Sequence, residues 1–242
     1  MLLIGTRRAP ADARETLPSP WRHLCVALAT RLHNRSHETS CYQQTGNLFS
    51  PDRRTQRMNL LYKRQVQDVI KDDPVRLRIL RFVSTLGLPD CWVAAGFVRS
   101  AVWDRQHGRA SSPLPPDIDV IWFDKMNDHP DVDAAIEASL QAFDSTLNWS
   151  VKNQARMHTR NCDRPYCSAA EAMKAWPETA TAVAVRLLEN DLIEIAAPLG
   201  LEDLCELVVR PGPNFQAEKR QIYLDRLHSK NWQATWPKLK LI

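Results

Sequence analysis

The stretch from residue 92 to residue 123 constrains the fold most, because a glycine there separates an apolar run from a segment with two aspartates. The run ends at Gly96, after which Val98 and Val102 recur at helical spacing. A proline-containing loop follows. Residues 117–123 then change from alternating acidic and apolar residues to wholly apolar ones, as a buried strand does. The pattern predicts a strand, a glycine turn, a helix and a second strand.

The predicted glycine turn is suited to binding a phosphate group. Gly96 lets the backbone turn tightly and approach a ligand, and a helix that begins there directs free N–H groups at that ligand. Arg99, one turn into the helix, can donate two parallel hydrogen bonds from its guanidinium group to the same ligand. We therefore predict that Gly96 and Arg99 bind phosphate.

The two aspartates are suited to binding a divalent cation. Asp117 and Asp119 fall on one face at the start of the second strand, because side chains alternate with a period of two. Two carboxylates on one face can share a cation. The pattern also allows a plainer interpretation, in which the pair caps a turn and the glycine marks an ordinary connection. Taken together, the glycine turn with Arg99 and the aspartate pair favour a site for a magnesium–triphosphate.

This head segment resembles that of polymerase-β-like nucleotidyltransferases. It contains Ala95-Gly96-Phe97-Val98-Arg99, then Gly108, then Asp117-Ile118-Asp119-Val120. The likeness is to the Gly-Gly-x-Val-Arg-Asp segment of tRNA CCA-adding enzymes and poly(A) polymerases. Ala95 stands where those enzymes carry their first glycine, and Ser100 where they carry an aspartate.

The chain is more similar still to bacterial nucleotidyltransferase family proteins of unassigned substrate. That similarity runs from about Met58 to the C-terminus and includes the strings at residues 149–158, 176–183 and 197–204. It implies an α/β (α+β) fold with a polymerase-β-like nucleotidyltransferase core, built from a small mixed sheet with flanking helices and a helical C-terminal extension.

The resemblance also implies a metal-dependent enzyme that transfers NMP from an NTP to a hydroxyl acceptor and releases pyrophosphate. Two Mg²⁺ ions are expected, with Asp117 and Asp119 as ligands. Enzymes of this superfamily use a third carboxylate on a neighbouring strand, and in poly(A) polymerases it lies in an Ile-Glu-Val-like string. Glu194, in Leu-Ile-Glu-Ile, is the candidate for this third catalytic and metal-binding acid. The acceptor can be a small molecule, RNA or protein.

Residues 149–158 alternate as a strand with one polar, basic face. Its position after the aspartate strand predicts that Lys152 and Arg156 reach phosphate oxygens. A solvated sheet face is the alternative. For His158 we expect a hydrogen bond to a carbonyl group rather than a role as proton carrier.

Periodicity predicts the remaining elements. Helices are expected at residues 58–70, 74–86, 131–147 and 218–236, and a hairpin at residues 182–188 and 192–197.

The chain divides into a predicted disordered basic arm, residues 1–57, and a nucleotidyltransferase-like domain, residues 58–242. Residues 1–58 hold nine arginines against four acidic residues, so the rest has a net charge near −1 although the whole chain carries +4. A domain that grips long nucleic acid normally has its own basic stripe. The distribution therefore favours a small-molecule or protein acceptor over RNA. RNA tailing aided by the arm is a further alternative, as is translation starting at Met58.

Composition predicts a cytoplasmic protein without a membrane partner. No run of about eighteen apolar residues occurs, and the N-terminus lacks the pattern of a secretory signal. The six cysteines form no disulfide framework, so reduced thiols are expected.

A rival function belongs to another class, a catalytically inactive nucleotide-binding or antitoxin-like interaction module. Three converging carboxylates would favour the enzyme. Aspartates that cap helices or pair with arginines would favour the module.

Overall fold

A five-stranded mixed sheet carries the segments on which these expectations depend. The computed structural model describes residues 53–242, so most of the predicted arm lies outside the described residues. The strands are β1 Trp92–Ala94, β2 Ile118–Trp122, β3 Trp149–Asn153, β4 Ala184–Leu187 and β5 Ile193–Ala196. Their spatial order is β3-β2-β1-β4-β5, with β2 and β3 parallel and the other neighbours antiparallel.

The longer helices pack on one face of this sheet. They are α1 Arg53–Lys71, α2 Pro74–Thr85, α3 Gly96–Gln106 and α4 Pro130–Phe143. Their start signals are visible in the sequence: Asp73 accepts hydrogen bonds from two backbone N–H groups at the start of α2, and Pro74 occupies the first turn. Val93, Val120 and Val185 form a cross-strand row that packs into the same core.

Shorter elements complete the described part of the chain. They are α5 Met157–Asn161, α6 Ala169–Met173, α7 Glu202–Cys205, α8 Arg220–Lys230, α9 Trp232–Thr235, and a parallel pair of strands, β6 Val208–Val209 and β7 Lys240–Leu241. Within residues 53–242, no helix combines the length and apolar character that crossing a membrane requires.

The opposite face of the sheet carries the aspartates. Because side chains alternate along a strand, Asp119 shares this face with its cross-strand neighbour Ala94 and with Ala184 on β4. Helix α6 covers part of the face, where Ala169 and Met173 pack against the alanines. Asp119 therefore lies on the side of the sheet away from the long helices.

The mixed α/β fold with flanking helices is confirmed, and so are the strand–turn–helix unit and the hairpin. The predicted strand at residues 149–158 is wrong beyond Asn153. The Asn153 side chain accepts a hydrogen bond from the Ala155 N–H and donates to the carbonyl oxygens of Asp124 and Asn127. This anchor turns the chain into a 3-10 helix and then α5.

The predicted C-terminal helix is broken into α8 and α9. Asn231 separates them, with a left-handed φ of 41°. Asparagine tolerates this conformation better than most residues do.

Close packing at Gly212 fixes residues 176–181, a segment that borders the site. A Cβ atom at Gly212 would lie 2.3 Å from the carbonyl oxygen of Trp176. The Gly212 N–H also donates to the Pro177 carbonyl at 2.8 Å. Since both contacts involve backbone, neither can move away cheaply.

We predict that Gly212→Ala lowers the free energy of unfolding by about 3 kcal/mol, because the added methyl group forces two backbone segments apart. Gly87→Ala is the control. Its φ is positive, unlike that of Gly212, but a Cβ atom meets nothing within 4 Å there, so a cost of about 1 kcal/mol is expected. Urea denaturation followed by circular dichroism measures both. A smaller loss at Gly212 than at Gly87 would contradict the packing explanation.

Candidate functional site

The tight turn between β1 and α3 is formed at Ala95 rather than at Gly96. Ala95 has φ 54° and ψ −119°, a region that residues with a Cβ atom rarely adopt. Hydrogen bonds hold it there: its N–H donates to the Val183 carbonyl and its own carbonyl accepts from the Arg99 N–H, both at 2.9 Å. Gly96 instead serves close packing, because a Cβ atom there would lie 3.1 Å from Cβ of Pro115. Phosphate binding by Gly96 stays a prediction.

Arg76 ties this turn to the loop that leads to the aspartates. It is fully buried, and its Nε donates to the Phe97 carbonyl at 3.0 Å. Its Nη1 and Nη2 donate to the carbonyl oxygens of Ser112 and Pro113, at 2.9 and 3.2 Å. The first turn of α3 and the approach to Asp117 are thus held by one guanidinium group. The sequence pattern placed Arg76 in a helix but showed nothing of this role.

Asp117 and Asp119 lie at the start of β2 with their carboxylates uncommitted. Asp117 is exposed and Asp119 half-buried. Ser150 is the cross-strand neighbour of Asp119 on β3 and lowers the pKa of that carboxyl group. In the described part of the chain, neither aspartate forms an ion pair or caps a helix. Both can therefore accept a ligand.

The electrostatics of the pair favour a cation. Burial, and then the charge of Asp117, raise the pKa of Asp119 to about 6, while Arg99, the Ser150 hydrogen bond and Arg226 oppose the rise. The charge of Asp117 thus acts directly on Asp119, and a bound cation would relieve that repulsion. Mg²⁺ normally binds through one or two carboxylates together with water and substrate phosphates. The residues present fit that ion.

Glu194, the residue predicted as a third acid, does not lie with this pair in the structure. It pairs with Arg186, Nε to Oε2 at 2.7 Å, on the edge strand β5. Three strand spacings separate β5 from β2, or about 14 Å, which is too far for a shared ion. Among residues 53–242, no three His, Cys, Asp or Glu side chains form a group able to hold a metal ion.

Arg99 lies beside the aspartates and is almost completely buried, with 8% of its surface exposed. Its Nη1 donates to the Thr181 hydroxyl oxygen at 3.0 Å. Its Nε has no hydrogen-bond partner among the described residues, and no carboxylate there forms an ion pair with it. Burial lowers the Arg99 pKa to about 10, against the opposing charges of Glu178 and the two aspartates. A buried guanidinium group with an unpaired N–H is a strong candidate for binding an anion.

The two other predicted phosphate ligands lie elsewhere. Arg156 pairs with the buried Asp133, which also accepts a hydrogen bond from Trp122 Nε1 at 2.8 Å. Arg156 thus neutralises that carboxylate, and a phosphate role for Arg156 stays a prediction. The ammonium group of Lys152 donates to the Val151 carbonyl at 2.8 Å and is half exposed at the sheet edge. A phosphate role for Lys152 stays a prediction.

The backbone of Ala95 offers a test of the turn. We predict that Ala95→Gly raises the free energy of unfolding by about 1 kcal/mol, because relief of the strained φ exceeds the entropy cost of glycine. Ala101→Gly, the same exchange inside α3, should destabilise instead. Thermal unfolding measures both, and a matching loss in the two variants would show that Ala95 is unstrained.

The raised pKa of Asp119 predicts a pH-dependent stability. A folded-state pKa above the unfolded value means that this group lowers stability as pH rises from about 4 through about 6. Without Mg²⁺, Asp119→Asn should therefore be more stable than wild type at pH 8 by about 1 to 3 kcal/mol. Asp144→Asn is the control and should destabilise, because hydrogen bonds from Thr146 lower the Asp144 pKa. Denaturant unfolding at pH 4 and pH 8 tests the sign, and a destabilised Asp119→Asn protein at pH 8 would contradict it.

Comparisons with known proteins agree with this geometry. A family model described as Nucleotidyltransferase matches residues 81–241, more than half of the chain. A solved structure described as revealing a CCA-adding enzyme head domain is 35% identical, with a TM-score of 0.65, and the match covers 73% of this chain and 94% of that one.

More distant solved structures are those of a tRNA-processing enzyme. An apo form and a form with CTP are both 16% identical to this chain, with TM-scores of 0.43. Each match covers 68% of this chain, and 44% and 43% of the respective structures. No curated protein matches the chain. The family model and the head-domain structure, which also confirms the predicted fold, place this chain in the nucleotidyltransferase family.

Proposed function

We propose that the Asp117–Asp119 pair binds Mg²⁺ and that the protein transfers an NMP group from an NTP to a hydroxyl acceptor, with release of pyrophosphate. The observation that carries this proposal is the arrangement of two uncommitted carboxylates beside the buried, partly unpaired Arg99. The relative described as a CCA-adding enzyme head domain supports nucleotide transfer as the reaction class.

The residues of the site have separable roles in this reaction. Asp117 and Asp119 would hold the metal, which when bound supplies positive charge to the triphosphate and to the leaving pyrophosphate. Arg99 would bring its positive charge to the phosphate oxygens beside the two aspartates. Ser150 keeps the Asp119 carboxylate oriented on β2. The first N–H groups of α3 face the same ligand.

The scarcity of carboxylates bears on the rival interaction module. Two acids in place of three favour a module that binds nucleotide without transfer. The lack of ion pairs and capping bonds at Asp117 and Asp119, over the described residues, favours the enzyme. We propose the enzyme, because an Mg²⁺ ion bound with an NTP needs only one or two protein carboxylates.

The acceptor is proposed as the hydroxyl group of a small molecule, RNA or protein, and the cytoplasm as the location. Four cysteines lie in the described residues, Cys91, Cys162, Cys167 and Cys205, and all are free thiols. Free thiols are typical of a reducing compartment.

Calorimetric titration of each NTP with Mg²⁺ tests the proposal. We expect wild type to bind in a metal-dependent manner and Asp117→Asn/Asp119→Asn to lose at least about 100-fold in affinity, since the metal loses both carboxylates. Glu194→Gln is the matched control and should bind like wild type, because Glu194 pairs with Arg186 far from the site.

The variants also separate loss of the ligands from loss of the fold, since the Asp119 substitution is expected to stabilise the protein. Absence of binding to wild type would overturn the proposal and favour the module. If binding is found, transfer of label from α-labelled NTP to a cell-extract acceptor would distinguish the enzyme from a nucleotide-binding module.

A further inference from the structure

Arg226, on the C-terminal helix α8, reaches the same buried cluster as Arg99. Its Nε donates to Oε1 of Glu178 at 2.6 Å. Its Cζ lies 5.9 Å from the centre of the Trp232 ring, and Cζ of Arg99 lies 4.6 Å from the same ring. Two guanidinium groups, one from α3 and one from α8, thus share one indole ring.

A single carboxylate serves these two arginines. Glu178 is fully buried, and its Oε2 has no hydrogen-bond partner among residues 53–242. Its charge raises the Arg99 pKa, whereas the charge of Arg226 lowers it. The cluster of Arg99, Arg226 and Glu178 therefore carries one positive charge in excess, in a largely buried setting. Such a cluster is matched to an anion.

The geometry of Arg226 leaves donors for that anion. About a third of its side chain is exposed, 34%. Its Nε is committed to Glu178, and in the described part of the chain neither Nη group forms a hydrogen bond. Its charge also acts on Asp119. Arg226 therefore lies within electrostatic reach of both halves of the proposed site.

We propose that Arg226 is a second triphosphate-binding residue, supplied by the C-terminal helix and held in place by Glu178. This rests on the proposed function and adds to it a ligand from the far end of the fold. Guanidinium groups pair with phosphate oxygens through parallel N–H donors. Because the contact is made to phosphate, it acts equally on every NTP and on inorganic tripolyphosphate.

The test compares Arg226→Gln with Arg220→Gln, using Mg²⁺–ATP and Mg²⁺–tripolyphosphate as calorimetric probes. Arg220 is an exposed arginine at the start of the same helix, so the control makes the same change in net charge. We expect Arg226→Gln to weaken both probes by about 10- to 100-fold, the loss of one charge-assisted hydrogen bond or more. Arg220→Gln should match wild type.

A second pair of variants covers the case in which Arg226→Gln fails to fold because Glu178 is left buried and unpaired. Glu178→Gln keeps an oxygen for the Arg226 Nε and removes the buried charge. Adding Arg226→Gln to that variant then leaves no buried carboxylate without a partner at this position. The same 10- to 100-fold loss is expected between these two proteins, with circular dichroism showing that both are folded.

Three results would overturn the proposal. Unchanged tripolyphosphate affinity in folded Arg226→Gln would show that Arg226 does not bind phosphate. A loss of affinity for one NTP alone would indicate that Arg226 contacts the base rather than the phosphates. An equal loss in Arg220→Gln would reduce the effect to net charge. In each case binding by wild type, and its loss in Asp117→Asn/Asp119→Asn, would leave the proposed function standing; failure of wild type to bind any NTP would remove both.

Discussion

The antiparallel pairing of β1 with β2 is the contact on which the rest of the site depends. It sets Ala94 opposite Asp119, so the residue before the turn and the second aspartate are cross-strand neighbours on one face. The turn at Ala95 then starts α3 and brings Arg99 toward the aspartates. A shift of one residue in this register would move Asp119 to the face covered by the long helices, where a carboxylate would be buried without a partner.

The charged groups of the site lower the stability of the folded chain. Asp119 is kept close to Asp117 in a half-buried position, and Arg99 is buried without a carboxylate of its own. Elsewhere buried charges are paired closely, as Asp133 is with Arg156. Groups with such unbalanced charge are common where a ligand completes the balance. The contrast between the two regions supports the proposal that Asp119 and Arg99 bind a ligand, whereas Asp133 and Arg156 stabilise the fold.

Local sequence patterns predicted much of this structure. They failed where a contact between residues far apart in sequence determined the backbone conformation. The Gly96 stretch, the aspartate strand and the hairpin follow from periodicity and turn chemistry, which act over a few residues. The strand after Trp149 stops early because the Asn153 side chain bonds to a loop about 26 residues away in sequence. No alternation of polar and apolar residues contains that information.

The site shows the same limit. The aspartate pair and Arg99 could be predicted together because they lie within one short segment. Arg156 lies on the polar face of an alternating pattern, as a ligand-binding residue would, yet it forms an ion pair with Asp133, a buried aspartate on α4. Glu194 has the neighbours expected of a third acid, but strand order puts it at the far edge of the sheet. Arg226 had no local signal, since its role requires α8 to fold back over α3.

The wide separation of Gly96 and Arg226 along the chain has a consequence for how the site comes into being. Bringing residues so far apart into one cluster incurs a loop-closure entropy that local elements do not. The pairing of β1 with β2 joins segments fewer than 30 residues apart, whereas docking of α8 and α9 depends on long-range contacts such as the 2.8 Å hydrogen bond from Trp236 to Asp104. A folding intermediate with the sheet formed but the last helices undocked would present both aspartates with an incomplete anion cluster. The chain would then become able to bind the metal at an earlier stage of folding than it becomes able to bind the nucleotide.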